Sequence, residues 1–467
     1  MKALIALLLI LPVLLLAQSP ALLLSQSNDS RQTAPLVLAH VTVIDVSGGP
    51  SKSNMTVVIR GDRISDIGKA GEVLVPPGAT VLDASGKFLI PGLWDMHVHW
   101  YNRDSLTLFT ANGVTGVRQM FGGSDLLRWR DQIAQGSLNG PRMIVASPII
   151  DGPEPVWPNS IAVDNEDEGR NAVRKVKQWG ADFVKVYSLL PRDAYFAIAD
   201  ESKRQDIPFA GHVPFAVSAA ETSDAGQKSI EHLTGILIEC SDKATELRNE
   251  IAKAKSPGAR GRVEGIALQT FNDRKARELF ARFVKNQTWQ CPTLTVLRSS
   301  SGYLGDSRFR NDGRLKYVPR PRRERWVRQI ADQNDSDYAK KVFQKKVEIA
   351  GAMQRAGVPL LAGTDAGNPF CFPGFSLHEE LALMVLGGLT PSESLRAATL
   401  NPAKFLGLDK MLGTIESGKI ADLVLLDADP LADIRNTQRI NAVISNGRLL
   451  DRKALNDMLA RAEMNAR

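Results

Sequence analysis

Cysteine is scarce in this chain: Cys240, Cys291 and Cys371 are the only three in 467 residues. That excludes a disulfide framework, so stability has to come from a buried core. Histidine is almost as scarce, with His40, His97, His99, His212, His232 and His378 making up all six. A strong excess of one charge is also missing. Lys+Arg 58 against Asp+Glu 51 leaves +7, too little over so large a surface to argue for nucleic acid or an anionic membrane. Past the first residues no apolar run is long enough to span a bilayer, and there is no internal repeat. What is present is an ordinary globular balance, 43% hydrophobic and 23% charged. That balance excludes a disordered chain, a collagen-like repeat and a coiled coil. The length suits two or three domains, or one large barrel with an appendage.

Residues 1–30 read as leader, not fold. Lys2 precedes ALIALLLILPVLLLAQ and a polar exit, the pattern of a secretory signal peptide. Pro12 and the brevity of the run argue against a stable membrane helix. The expectation is an exported protein, periplasmic or extracellular, with no stable membrane span after leader removal. An uncleaved leader that retains the protein at the membrane is the alternative.

From Leu36 the chain alternates apolar and polar residues in short runs between Gly, Asp and Pro turns. The same texture returns in KIADLVLLDADP and INAVISNGRLL near the far end. Each set is too small to bury a core alone, so residues 31–91 and 405–467 are expected to form one composite β-sandwich. Residues 92–404 would be inserted between its halves. In that middle, apolar strand-like runs alternate with helical stretches such as DEGRNAVRKVKQWG and RDAYFAIADESKRQ. The alternation predicts a parallel sheet buried on both faces. Eight runs predict an α/β fold, a (β/α)8 TIM barrel, with strands near 88–99, 113–121, 142–151, 182–188, 208–214, 229–235, 289–297 and 359–367. Residues 240–287 are expected to be helical. A basic run from Arg308 to Arg328 reads either as a solvated insertion or as a lid at the barrel mouth that attracts an anionic group.

Four of the six histidines fall at the carboxyl ends of expected barrel strands. His97 and His99 are two apart on one strand and share a face; His212 and His232 come late in the fifth and sixth. Imidazole is a good ligand for zinc and similar divalent ions. Asp365 follows PLLAGT at the end of the eighth run, where a buried carboxylate needs a partner or a metal. It could hold a metal and take a proton from metal-bound water. Lys185 stands in the apolar run ADFVKVY, where a buried ammonium is costly. As a neutral amine it can take up carbon dioxide and become a carbamate able to bridge two cations.

At this point the sequence resembles the amidohydrolase superfamily, in its imidazolonepropionase-like branch that includes Xaa-Pro dipeptidases. The carrying motifs are FLIPGLWDMHVH at 88–99, ADFVKVYS at 181–188, FAGHVP at 209–214, SIEHLTG at 229–235, LLAGTDAG at 360–367 and the tail GTIESGKIADLVLLDADPL at 413–431. The resemblance implies two divalent metal ions, zinc foremost. His97, His99 and Asp365 would hold the more buried ion, and His212 and His232 the second. Carboxylated Lys185 would bridge them together with a hydroxide.

The expected activity is hydrolysis of an amide bond in a dipeptide or N-acyl amino acid, by attack of that hydroxide with Asp365 as general base. A lactonase, cyclic-amide or aryl-ester hydrolase is the alternative, since fold does not decide substrate. Three further residues are candidate substrate contacts: Arg118 as a carboxylate clamp, Tyr187 two residues beyond Lys185, and His378. Trp157 is a candidate pocket wall. The expected partner is a small molecule or dipeptide, not nucleic acid; such barrels often associate as homo-oligomers.

Overall fold

The computed structural model describes residues 34–254, 256–301, 309, 311–331 and 337–467. The expected leader, with Arg308 and Arg310 of the basic run, lies outside the described residues. Among the described residues no helix is long and apolar enough to cross a membrane.

The first elements among the described residues are β1 (Leu36–Val43), β2 (Lys52–Arg60), β3 (Arg63–Lys69), β4 (Thr80–Asp83) and β5 (Phe88–Pro91). The barrel strands follow: β6 (Leu93–Val98), β7 (Val114–Gln119), β8 (Arg142–Asp151) with short β9 (Ile161–Ala162), β10 (Phe183–Val186), β11 (Phe209–Gly211), β12 (Ser229–Glu231) and β13 (Trp289–Cys291). The chain ends with β14 (Leu423–Leu426), β15 (Ile440–Ser445), β16 (Arg448–Leu450) and the helix Arg452–Asn465.

Two sheets result. The smaller domain is one sheet ordered β16-β15-β14-β5-β1-β2-β3, with β4 beside β1. Both chain ends contribute, and β14 pairs antiparallel with β5. Period-two alternation sorts its side chains. Leu423 and Leu425 join Leu38, Val57, Ile59 and Ile444 in a core of their own. Val424 and Leu426 turn the other way, into the large core shared with the barrel.

The second sheet runs β6-β7-β8-β10-β11-β12-β13 in parallel. Residues 359–366 close it as an irregular eighth stave. Leu361 N donates to Gln290 O at 2.9 Å on one side, and Met96 N donates to Ala362 O at 2.9 Å on the other. The result is a (β/α)8 barrel. Helices Glu166–Trp179 and Arg192–Arg204 stand where the helical patterns predict them, and residues 240–287 carry three more of seven residues or longer.

Three expectations about the strands need correction. The predicted first barrel strand, 88–99, is two strands in two sheets, divided at Gly92. A Cβ at Gly92 would meet Thr115 Oγ1 at 2.2 Å, so only glycine lets the chain pass here from the small sheet into the barrel. The eighth run is not a regular strand: only Leu360 and Ala366 form isolated bridges to its neighbours, and Asp365 between them adopts φ 62°. The later barrel strands are also shorter than predicted, β11, β12 and β13 having three residues each.

Candidate metal centre and active site

The chemistry-bearing residues sit where barrel strands end and the chain turns into loops at the carboxyl rim. β6 carries His97, and His99 follows just past its end. Lys185 lies within β10, and His212 and His232 directly follow β11 and β12. Asp365 comes from the irregular eighth stave. Its backbone is fixed by Asp365 N donating to His97 O at 2.7 Å. The preceding Thr364 donates to buried Asp95 through Oγ1 at 2.6 Å and N at 3.0 Å. Burial pushes the Asp95 carboxyl up to about 7 despite those hydrogen bonds. His232 (φ 60°) and Asp365 (φ 62°) both occupy the left-handed region, strain of the kind that gathers at functional sites.

These residues converge. His97 Nε2 and His99 Nε2 are 3.3 Å apart, and Asp365 Oδ1 lies 3.5 Å from the first and 3.2 Å from the second. The His97 and His232 rings are 4.5 Å apart between centroids, and the His212 and His232 rings 4.9 Å. Each of the four imidazoles has its Nδ1 occupied by a partner outside the cluster. His97 Nδ1 donates to Glu231 Oε2 at 2.8 Å. His232 Nδ1 lies 2.6 Å from Thr293 Oγ1, whose own proton goes to Pro292 O. His212 Nδ1 is 2.8 Å from Ser188 Oγ, and His99 Nδ1 is 3.4 Å from the Tyr101 hydroxyl. An imidazole that donates from Nδ1 keeps a lone pair on Nε2, the arrangement typical of metal ligands.

The electrostatics fit the same use. Burial drives all four imidazoles down, His99 to about 3 and the other three well below their usual value, with the Lys185 charge adding to the effect. Neutral imidazoles are the ligating form. Burial pushes Lys185 down to about 8 and Asp365 up to about 7, each opposed by the other's charge. Lys185 Nζ and Asp365 Oδ1 are both buried without a hydrogen-bond partner. Unpaired polar atoms at this depth are costly and call for a ligand. His97, His99 and Asp365 offer ligand atoms within 4.8 Å of one another. So do His97, Glu231 and Cys291, but the Glu231 oxygens are already taken by Arg118, Ser229 and His97. The donor set therefore suits divalent cations at the histidine–aspartate cluster.

Two of the predicted substrate contacts are corrected. Arg118 does not reach the mouth. It is 1% exposed, and its guanidinium donates to Met96 O at 2.6 Å, Ser229 Oγ at 2.9 Å and both Glu231 oxygens at 2.9 Å. The alternation of β7 turns it into the barrel interior, where Glu231 neutralises it. His378 is also away from the cluster, 1% exposed, with Nε2 donating to Asn112 O at 3.1 Å and Nδ1 against Thr437 Oγ1 at 2.9 Å. Tyr187 is beside the cluster. Its ring lies 4.0 Å from that of His212, and its hydroxyl accepts from Trp157 Nε1 at 2.9 Å. Glu231, Asp95, Thr293 and Tyr101 escaped the sequence reading. A carboxylate in the buried run SIEH carries the same signal as Lys185 in FVKV, and it would have found Glu231.

The fold and donor set define a class: parallel barrels that present a histidine–carboxylate cluster suited to divalent cations at the carboxyl rim. A profile of the Amidohydrolase family matches residues 325–450. Imidazolonepropionase of Pseudomonas savastanoi pv. phaseolicola is 40% identical over 84 residues, 18% of this chain and 21% of that protein. The chain thus aligns with only about a fifth of the length of that relative. Over nearly its whole length it is similar to a prolidase structure from Bifidobacterium longum, at 25% identity and TM-score 0.68, covering 92% of this chain and 99% of that one. Bottromycin amidohydrolase has the same fold, with TM-score 0.74 at 24% identity over 94% of this chain and 92% of its own. The profile match and these likenesses fit the amidohydrolase superfamily, a group of hydrolases that usually bind divalent metals.

Proposed function

We propose that the protein is an exported, metal-dependent hydrolase that cleaves the carbon–nitrogen bond of a small amide, a dipeptide or an N-acyl amino acid. The observation that carries the reading is the convergence of four imidazoles with outward-facing Nδ1 partners on two unpartnered buried groups, Lys185 Nζ and Asp365 Oδ1. His97, His99 and Asp365 would hold one divalent ion, and His212 and His232 a second. Lys185 would lie between them as a carbamate: Nζ forms one bond to the carbon of carbon dioxide and releases one proton. When bound, the ions make water nucleophilic near neutral pH and polarise the scissile carbonyl.

The protein's own groups do the rest. Asp365 takes the proton of the attacking water and delivers it to the leaving nitrogen. The Tyr187 hydroxyl, beside His212, donates to the substrate carbonyl oxygen as charge grows there. The prolidase likeness over nearly the full chain supports an amide substrate. The test is metal-reconstituted protein assayed for amine release from dipeptides and N-acyl amino acids, with lactones alongside. Metal-dependent amide cleavage is expected. Cleavage of lactones alone would move the reading to the ester-type alternative, and a metal-loaded protein inert to all three would overturn it.

A further inference from the structure

One described helix of the basic insertion after β13 has a defined seat. The helix Arg320–Ala331 is anchored by Trp326, 2% exposed, whose ring lies 5.7 Å from both Phe370 and Phe372 in the segment that follows Asp365. Arg322 stands four residues earlier, so it shares that helix face one turn away. Its guanidinium lies 5.2 Å from the Trp100 ring, and Trp100 directly follows His99. One short helix therefore bridges the segments that leave two of the cluster's residues. Next in the chain, Tyr101 aims its hydroxyl at His99 Nδ1.

The charges of this insertion differ in how they are met. Arg314 pairs with Glu379 and Asp312 at 2.6 Å, Lys316 with Glu463 at 3.1 Å, and Arg320 with Glu324 at 2.9 Å. Arg322 is half-buried and, among the described residues, has neither a carboxylate nor a hydrogen-bond acceptor. Arg325, a like charge, adds to burial in opposing its cation, and Tyr101 offsets them only in part. A partly desolvated guanidinium with no internal counter-charge, one residue-to-residue contact away from the segment that carries His99, is a receptor for a planar anion.

We propose that Arg322 binds the substrate's carboxylate at the barrel mouth and so selects amides that carry a free acid group. This rests on the function proposed above and adds the residue that sets specificity. The insertion is then a substrate clamp, not a solvated excursion.

The test uses the full-length, metal-loaded protein and Xaa-amino-acid dipeptides, each as the free acid and as its C-terminal amide. Arg322→Met keeps an unbranched side chain and removes the charge. It is expected to raise KM for the free acids roughly 10- to 100-fold with little change in kcat, and to leave KM for the amides unaltered. Arg322→Lys should recover part of the loss. Arg328→Ala, exposed on the same helix, should change neither KM. Unchanged KM for the acids in Arg322→Met, or equal losses on acids and amides, overturns the proposal. If wild type cleaves no dipeptide, the functional reading fails separately. Calorimetric titration with N-acetyl-alanine then decides the site: weaker binding in Arg322→Met supports it, while equal binding or none overturns it.

Discussion

His97 Nδ1 donates to Glu231 Oε2 at 2.8 Å, and neither side chain is exposed. Glu231 also receives the Arg118 guanidinium and the Ser229 hydroxyl. A fully buried Arg–Glu–His chain thus runs from the barrel interior to the histidine–aspartate cluster and fixes which His97 nitrogen faces it. Glu231→Gln should weaken metal affinity about 10- to 100-fold. By leaving Arg118 unneutralised it should also cost about 3 kcal/mol of stability. Chelator competition and chemical denaturation measure the two effects separately. Full affinity in the variant would remove Glu231 from the site.

Asp365→Asn tests the proton carrier. The amide can still occupy the space but cannot accept a proton. Turnover should fall by about 10²- to 10⁴-fold, while the other ligands retain at least one metal equivalent. Elemental analysis beside steady-state kinetics checks this, and near wild-type turnover with metal retained would reassign the base.

Lys185→Met should have opposite effects on metal-free and metal-loaded protein. Methionine matches the volume of Lys185 and removes an unpartnered buried amine. The metal-free variant should be more stable than metal-free wild type by about 1–3 kcal/mol, while its metal content drops. Thermal melts with and without zinc report both; a destabilised metal-free variant would mean that the amine has a partner.

Gly211 ends β11 at φ 146°, and a Cβ there would meet Val186 O at 2.1 Å. Gly211→Ala should therefore cost more than about 2 kcal/mol and displace His212, which follows it. Denaturation and metal titration of the variant check both effects.

Glu221 gives a pH prediction away from the metal cluster. The Arg192 hydrogen bond and the Ser218 cap hold its carboxyl at about 2 against a usual 4.5. A depressed acid binds more protons when unfolded. Its contribution is complete above about pH 4.5 and fades as pH falls toward 2. The pair is partly exposed, so the effect is modest. Glu221→Gln should melt lower than wild type at pH 7, and the gap should narrow as pH falls from about 5 toward 2. A gap that is constant across this range would exclude the charge as its cause.

Period and composition were enough to read the barrel and the residues that cluster at its rim. Histidine is rare here, and a lysine inside FVKV is conspicuous. Side-chain direction was not legible. Arg118 ends an apolar run just as a rim residue would, and only the barrel's closure brings Glu231 opposite it. His378 precedes acidic residues on a helix, but a contact distant in sequence, Thr437, claims it. The lengths of β11 to β13 were overread because apolar residues continue past each strand into buried loops.

The pairing of β5 with β14 has a consequence for biogenesis. As the polypeptide emerges, β5 has no partner on that flank until the entire barrel has been made. Its edge, rich in aliphatic side chains and unmet amides, is open to wrong partners throughout that interval. A segment made after the barrel is therefore the one that seals the small sheet, and truncation ahead of Leu423 should produce aggregation before it produces loss of chemistry.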